Sequence, residues 1–156
     1  MHRTFAVYTL GCKVSQYESE AILEEAVRRG FTPVTKGADI AVINTCTVTA
    51  EGDRKCRQLI RRLVRQSPET KIMVCGCYSQ VSPESVSAID GVAYVCGTQN
   101  KLRTVERALE LLDGKAIPKI EVAPLAGADF ESMRILHAPR TRAYIKIEDG
   151  CDNRCA

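Results

Sequence analysis

Short apolar runs alternate with longer stretches of helical period along most of the chain. The runs are FAVYTL (5–10), FTPVT (31–35), DIAVINT (39–45), KIMVCG (71–76) and VAYVCG (92–97). Each has strand length and is bounded by glycine or polar residues, so each predicts a strand. Between them the apolar positions recur three and four apart: Ile22, Leu23, Ala26 and Val27, then Leu59, Ile60, Leu63 and Val64, then Leu102, Val105, Leu109 and Leu112. That spacing gives each helix one apolar stripe to lay on a sheet. Gly30 closes the first helix, and Ser82, Pro83 and Glu84 read as the cap, first-turn proline and dipole-matched acid of a short helix before the fifth strand. Such alternation predicts an α/β fold. Its sheet is open, mainly parallel and five-stranded with flanking helices, flavodoxin- or Rossmann-like in the order 2-1-3-4-5.

The pattern holds over residues 1–113. Between 114 and 140 Pro118, Pro124, Gly127 and Pro139 interrupt any sustained period, which predicts a linker. The alternating run RAYIKIEDGC then predicts a new strand, so that 141–156 begin a second domain. At 156 residues and 45% hydrophobic content the chain can build a core without disulfides. The N-terminal MHRTFAVYTLGCK has no signal-peptide apolar segment and no run approaches a bilayer span, so the expected location is the cytoplasm, with no membrane partner. In such a reducing compartment eight cysteines point to metal binding or redox chemistry. The formal net charge of +3 does not by itself require a nucleic-acid partner.

Three cysteines stand apart by position. Cys12 follows the first strand, Cys46 the third and Cys77 the fourth, all beyond carboxyl ends of parallel strands, the edge at which open α/β sheets bind ligands. In the order 2-1-3-4-5 these strands are neighbours, and three thiolates can meet there. A structural zinc site closes with four ligands, whereas three thiolates suit an iron–sulfur cluster with one iron open. Cys75, inside IMVCG, Cys56, on the apolar arc of its helix, and Cys96, at the end of the fifth strand, read as small core side chains. On the opposite arc of the Cys56 helix lie Arg54, Lys55, Arg57, Arg61, Arg62 and Arg65. A one-signed stripe of this kind is either a solvated face or a contact for phosphates.

Together, TLGCKVSQYESE, INTCTVT, VCGCYSQ and KIEDGCDNRC resemble the methylthiotransferase family of radical S-adenosylmethionine enzymes, over nearly the whole chain. The resemblance implies that Cys12, Cys46 and Cys77 hold an auxiliary four-iron four-sulfur cluster. It also implies that Cys151 and Cys155 are the first two positions of the CxxxCxxC motif of a second such cluster, whose third position lies past Ala156. The sequence is thus expected to be an N-terminal domain plus the first strand of a radical barrel, inactive alone. For the parent, the resemblance implies that one S-adenosylmethionine methylates a sulfur on the open iron, a second yields a 5'-deoxyadenosyl radical, and a methylthio group enters the substrate. GCKVSQYES is most similar to members acting on threonylcarbamoyl-adenosine at A37 of transfer RNA, beside the anticodon. Members acting on isopentenyl-adenosine or on a ribosomal protein differ just after that cysteine. Lys13, Val14 and Gln16 lie near enough to Cys12 to touch substrate, or simply start the helix.

Two other readings compete. A non-catalytic module would bind zinc or a cluster and recognise RNA through the basic helix. A plain flavodoxin-like nucleotide binder is disfavoured, because TLGCKVSQ has no glycine-rich phosphate turn.

Overall fold

A computed structural model describes residues 3–46, 50–125 and 131–135. In chain order the elements are β1 (Thr4–Leu10), α1 (Lys13–Arg28), β2 (Thr32–Pro33), β3 (Ile40–Thr45), α2 (Ala50–Gln66), β4 (Lys71–Gly76), α3 (Cys77–Val81), α4 (Pro83–Ser87), β5 (Val92–Cys96), α5 (Arg103–Leu112) and β6 (Ile120–Glu121). The strands form one open sheet in the order β2-β1-β3-β4-β5-β6. Every pairing in it is parallel. The α/β class and the order of the first five strands are those the sequence predicts.

The sixth strand was not anticipated. Ile120 and Glu121 sit in the stretch read as linker and pair with Val95 and Cys96, which makes β5 an interior strand and not the edge. Two residues of ladder leave no alternation long enough to register as a pattern. The predicted second domain, 141–156, lies outside the described residues.

Burial follows the period of two. β3 is buried at all six positions, as a central strand covered by helices on both faces must be. Ile40 and Val42 join Phe5, Ile22, Ala26 and Val105 in the core under α1 and α5. The alternate residues Ala41 and Ile43 join Ile60, Leu63 and Val86 under α2 and α4. The sheet is thus the middle of three layers.

Two local expectations need correction. Val27 is 48% exposed, although it shares the predicted stripe of α1. The buried arc of that helix is turned toward Glu18 and Glu25, which sequence alone would place outside. Lys101 pairs with Glu18, while Arg28 and Arg29 pair with Glu25, and these cations make the burial tolerable. Ser82 does occupy the N-cap position of α4, with Pro83 and Glu84 in the first turn, but its side chain makes no capping hydrogen bond. No described helix is long and apolar enough to cross a membrane.

Ile60 is fully buried between α2 and the sheet, so Ile60→Ala is expected to lower unfolding free energy by about 2–5 kcal/mol. Ile120→Ala, at a residue 38% exposed, should change it by less than about 1 kcal/mol. Urea denaturation of the two variants checks the contrast.

Candidate functional site

β1, β3 and β4 lie side by side and end together. Leu10 pairs with Thr45, and Thr45 pairs with Gly76. Cys46 and Cys77 are the residues immediately after that line and Cys12 comes two after it. Neighbouring strands are about 5 Å apart, so the three chains leave the sheet along about 10 Å of one rim. Cys12 is the exposed N-cap residue of α1, Cys46 is a half-buried residue of the loop after β3, and Cys77 is the half-buried first residue of α3.

Two glycines let these segments approach. A Cβ on Gly11 would fall 2.7 Å from the Cβ of Cys46 and 2.7 Å from Ser15 Oγ. Gly76 has φ +105°, and a Cβ there would lie 2.8 Å from Thr45 N and 2.9 Å from Asn44 Oδ1. Any other residue at either position would force the rim apart. The residue before Cys12 therefore touches Cys46, and the residue before Cys77 touches the two residues before Cys46.

The sulfurs differ in chemistry. Partial burial acts to raise the Cys12 thiol, but the backbone N–H groups of Ser15 and Val14 and the Ser15 hydroxyl favour its anion and outweigh this, so its pKa lies below the ordinary value. The Ser15 Oγ stands 3.6 Å from the sulfur. A cysteine at a helix N-terminus is commonly shifted this way, and the thiolate is the form that binds metals. By contrast Cys56, Cys75 and Cys96 are at most 1% exposed and belong to the two cores, as their sequence positions predicted. Burial pushes Cys56 up to about 12 and Cys96 up to about 11, and it raises Cys75 as well. These three are kept as thiols. The six described cysteines form no disulfide.

Among the described residues no three His, Cys, Asp or Glu side chains converge closely enough to hold a single metal ion. The donor set at the rim nonetheless fits a cluster. Its three donors are all sulfurs, and in a cluster each cysteine takes its own iron, so the sulfurs need not crowd one ion. The glycine-lined approach of the three segments is the other half of that fit. Cys151 and Cys155 lie outside the described residues.

The basic stripe flanks this rim. Arg54, Lys55, Arg61, Arg62 and Arg65 are exposed on α2, and Arg61, Arg62 and Arg65 make no ion pair among the described residues. Arg57 is turned inward instead, donating to the Tyr78 hydroxyl at 2.9 Å, next to Cys77. Lys55, Arg61, Arg62 and Arg65 form one wall of a groove of about 780 Å³, whose other wall is Tyr8, Thr9 and Leu10 of β1. The groove thus reaches the strand end from which Cys12 departs. Lys13 and Val14 are the first two residues of α1 and both are exposed, while Gln16 is half-buried.

Sequence reasoning gave no weight to Asn44. It is a fully buried polar residue that follows four apolar positions of β3, and that contrast is the signal that would have found it.

Residues 4–97 match the family described as Uncharacterized protein family UPF0004. The chain is 42% identical to a Bacillus subtilis (strain 168) protein named Threonylcarbamoyladenosine tRNA methylthiotransferase MtaB, over 97% of this chain and 34% of that protein. It is 34% identical to the protein of the same name from Thermotoga maritima, over 98% of this chain and 35% of that one. Similarity extends to a tRNA-2-methylthio-N(6)-dimethylallyladenosine synthase of Staphylococcus saprophyticus, at 30% identity over 98% of this chain and 31% of the relative. The chain spans about a third of the length of these relatives. With the family match running through Cys12, Cys46 and Cys77 and over well more than half of the sequence, the chain belongs to the UPF0004 family, the N-terminal domain of methylthiotransferases of this kind.

Proposed function

We propose that this chain is the auxiliary-cluster domain of a tRNA methylthiotransferase that converts threonylcarbamoyl-adenosine at A37 to its 2-methylthio form using S-adenosylmethionine. The observation that carries the proposal is the register of Leu10, Thr45 and Gly76, from which Cys12, Cys46 and Cys77 leave the sheet together. In this reading those three thiolates hold a four-iron four-sulfur cluster. Cys151 and Cys155 belong to the second cluster of the parent enzyme, where S-adenosylmethionine binds.

When bound, the auxiliary cluster supplies an iron with an open coordination position for the sulfur that is transferred. The chain's own residues do the rest of the local work. Gly11 and Gly76 keep the ligand-bearing segments in contact. Ser15 and Val14 favour the anionic form of Cys12 before any iron is present. Lys13 and Val14 stand exposed beside that sulfur, where an incoming base would first meet the protein.

The preference for threonylcarbamoyl-adenosine is supported by the names of the two relatives with higher identity, while the dimethylallyladenosine synthase at 30% keeps the neighbouring subtype as the second reading. Transfer RNA as the partner is supported by the same names and by the cationic groove beside the rim. Arg54, Lys55, Arg61, Arg62 and Arg65 are the phosphate contacts in this reading, with Arg57 bracing Tyr78. In this reading the enzyme works where tRNA is, and its expected location is the cytoplasm.

Anaerobic iron and sulfide reconstitution of the chain tests the ligand set. Cys12→Ala, Cys46→Ala and Cys77→Ala should each lower cluster retention by about 10-fold or more, and Cys75→Ala, in the core, should retain it. Full retention by any of the first three removes that residue from the set, and binding of zinc alone at one equivalent would favour a non-catalytic metal and RNA module. Arg61→Glu with Arg62→Glu should weaken tRNA binding and reduce the slope of log affinity against log salt by about 2. Unchanged affinity in a filter-binding titration would return α2 to a solvated face.

A further inference from the structure

We propose that Asn44 is a positioning residue: one buried amide ties together the three segments that carry Cys12, Cys46 and Cys77, namely the start of α1 and the ends of β3 and β4. The role as a cluster rim rests on the function proposed above, whereas the tie itself is a property of the metal-free chain.

Asn44 lies on the α1 side of β3, two residues before Cys46, and has no exposure to solvent. Its amide nitrogen, with two hydrogens shared among three acceptors, lies 2.9 Å from Ser15 O, 3.2 Å from Ser19 Oγ and 3.4 Å from Glu18 Oε2, all in the first half of α1. That holds the helix whose N-cap is Cys12. Its amide oxygen accepts from the Cys75 thiol at 3.8 Å, on the strand that leads to Cys77. The same oxygen stands 2.9 Å from where a Gly76 Cβ would be, so the fit to β4 is close on that side as well. One side chain thus contacts α1 and β4 while its own backbone belongs to β3.

The surrounding polar groups brace the amide. Ser19 Oγ donates to Ser15 O at 2.8 Å, which fixes two of the amide's acceptors relative to each other. Glu18 pairs with Lys101, and both are nearly buried, at 5% and 3% exposed. Lys101 is itself held by its backbone N–H, which donates to Glu131 Oε2 at 2.8 Å. An apolar residue at position 44 would satisfy the core but leave Glu18, Ser15 and Ser19 without this donor. The amide reaches both neighbouring elements, α1 through its nitrogen and β4 through its oxygen.

The test compares the full chain with Asn44→Ala and with Thr70→Val. Thr70 makes a comparable buried hydrogen bond, to Ala38 O at 2.6 Å, at the far end of β4, so its loss controls for destabilisation alone. In metal-free protein, amide hydrogen exchange at Gln16, whose N–H donates to Cys12 O, at Thr45 in β3 and at Gly76, whose N–H donates to Gly97 O, should quicken by about 10-fold or more together in Asn44→Ala and stay near wild type in Thr70→Val. After reconstitution, the electron paramagnetic resonance lines of the reduced cluster should broaden or shift in Asn44→Ala only. Unchanged exchange at any of the three segments, or equal effects of both variants, would overturn the proposal. Should Asn44→Ala not fold, Ser19→Ala, which removes one acceptor and keeps a good helix former, should still speed exchange at Gln16 by about 3-fold, and no change there would be equally fatal. A wild-type chain that takes up no cluster would sink the functional reading, and the exchange data would then decide the amide's role alone.

Discussion

Parallel pairing of β1, β3 and β4 in one register is the constraint on which the remaining features depend. Leu10, Thr45 and Gly76 end the three ladders on one line, and every cysteine placed at the rim takes its position from that line. A slip of one residue would exchange the two faces of β3, sending Ile40 and Val42 to the α2 side and Ile43 to the α1 side. Two separate cores forbid it. The register that ends β1, β3 and β4 on one line is therefore maintained by the apolar packing of both faces of the sheet.

The same sheet separates two populations of cysteine. Cys56, Cys75 and Cys96 are buried, which raises their pKa and keeps them as thiols. Cys12, at the start of a helix, meets backbone N–H groups that favour its anion. Position relative to the strand end decides the chemistry: Cys75 and Cys77 are two residues apart, and the Gly76 turn between them separates a core side chain from a rim side chain. The switch from strand order 2-1 to 3-4 leaves a crevice at this same end, where open α/β sheets take their ligands.

Much of this was legible from residue order. Five apolar runs and the stripes between them specify the layers, and the post-strand placement of Cys12, Cys46 and Cys77 follows from the runs alone. What escaped were features set by tertiary context. β6 is two residues long and exists because β5 offers an open edge. Val27 lies outside the core because α1 buries two glutamates, and their burial depends on Lys101, Arg28 and Arg29, which the local pattern of the helix does not reveal. Asn44 was overlooked because a polar residue next to the last position of a strand looks like the start of a loop until its helix acceptors are seen. Cys151 and Cys155 remain expectations from motif alone.

The central claim is that the ends of β1, β3 and β4 form one iron–sulfur site. Anomalous diffraction at the iron edge from crystals of the anaerobically reconstituted chain tests it most directly. The account predicts a compact iron peak just beyond Leu10, Thr45 and Gly76, bridged by density to the sulfurs of Cys12, Cys46 and Cys77. Iron located at Cys56, Cys75 or Cys96, or a peak at the rim that omits any of the three sulfurs, would contradict it.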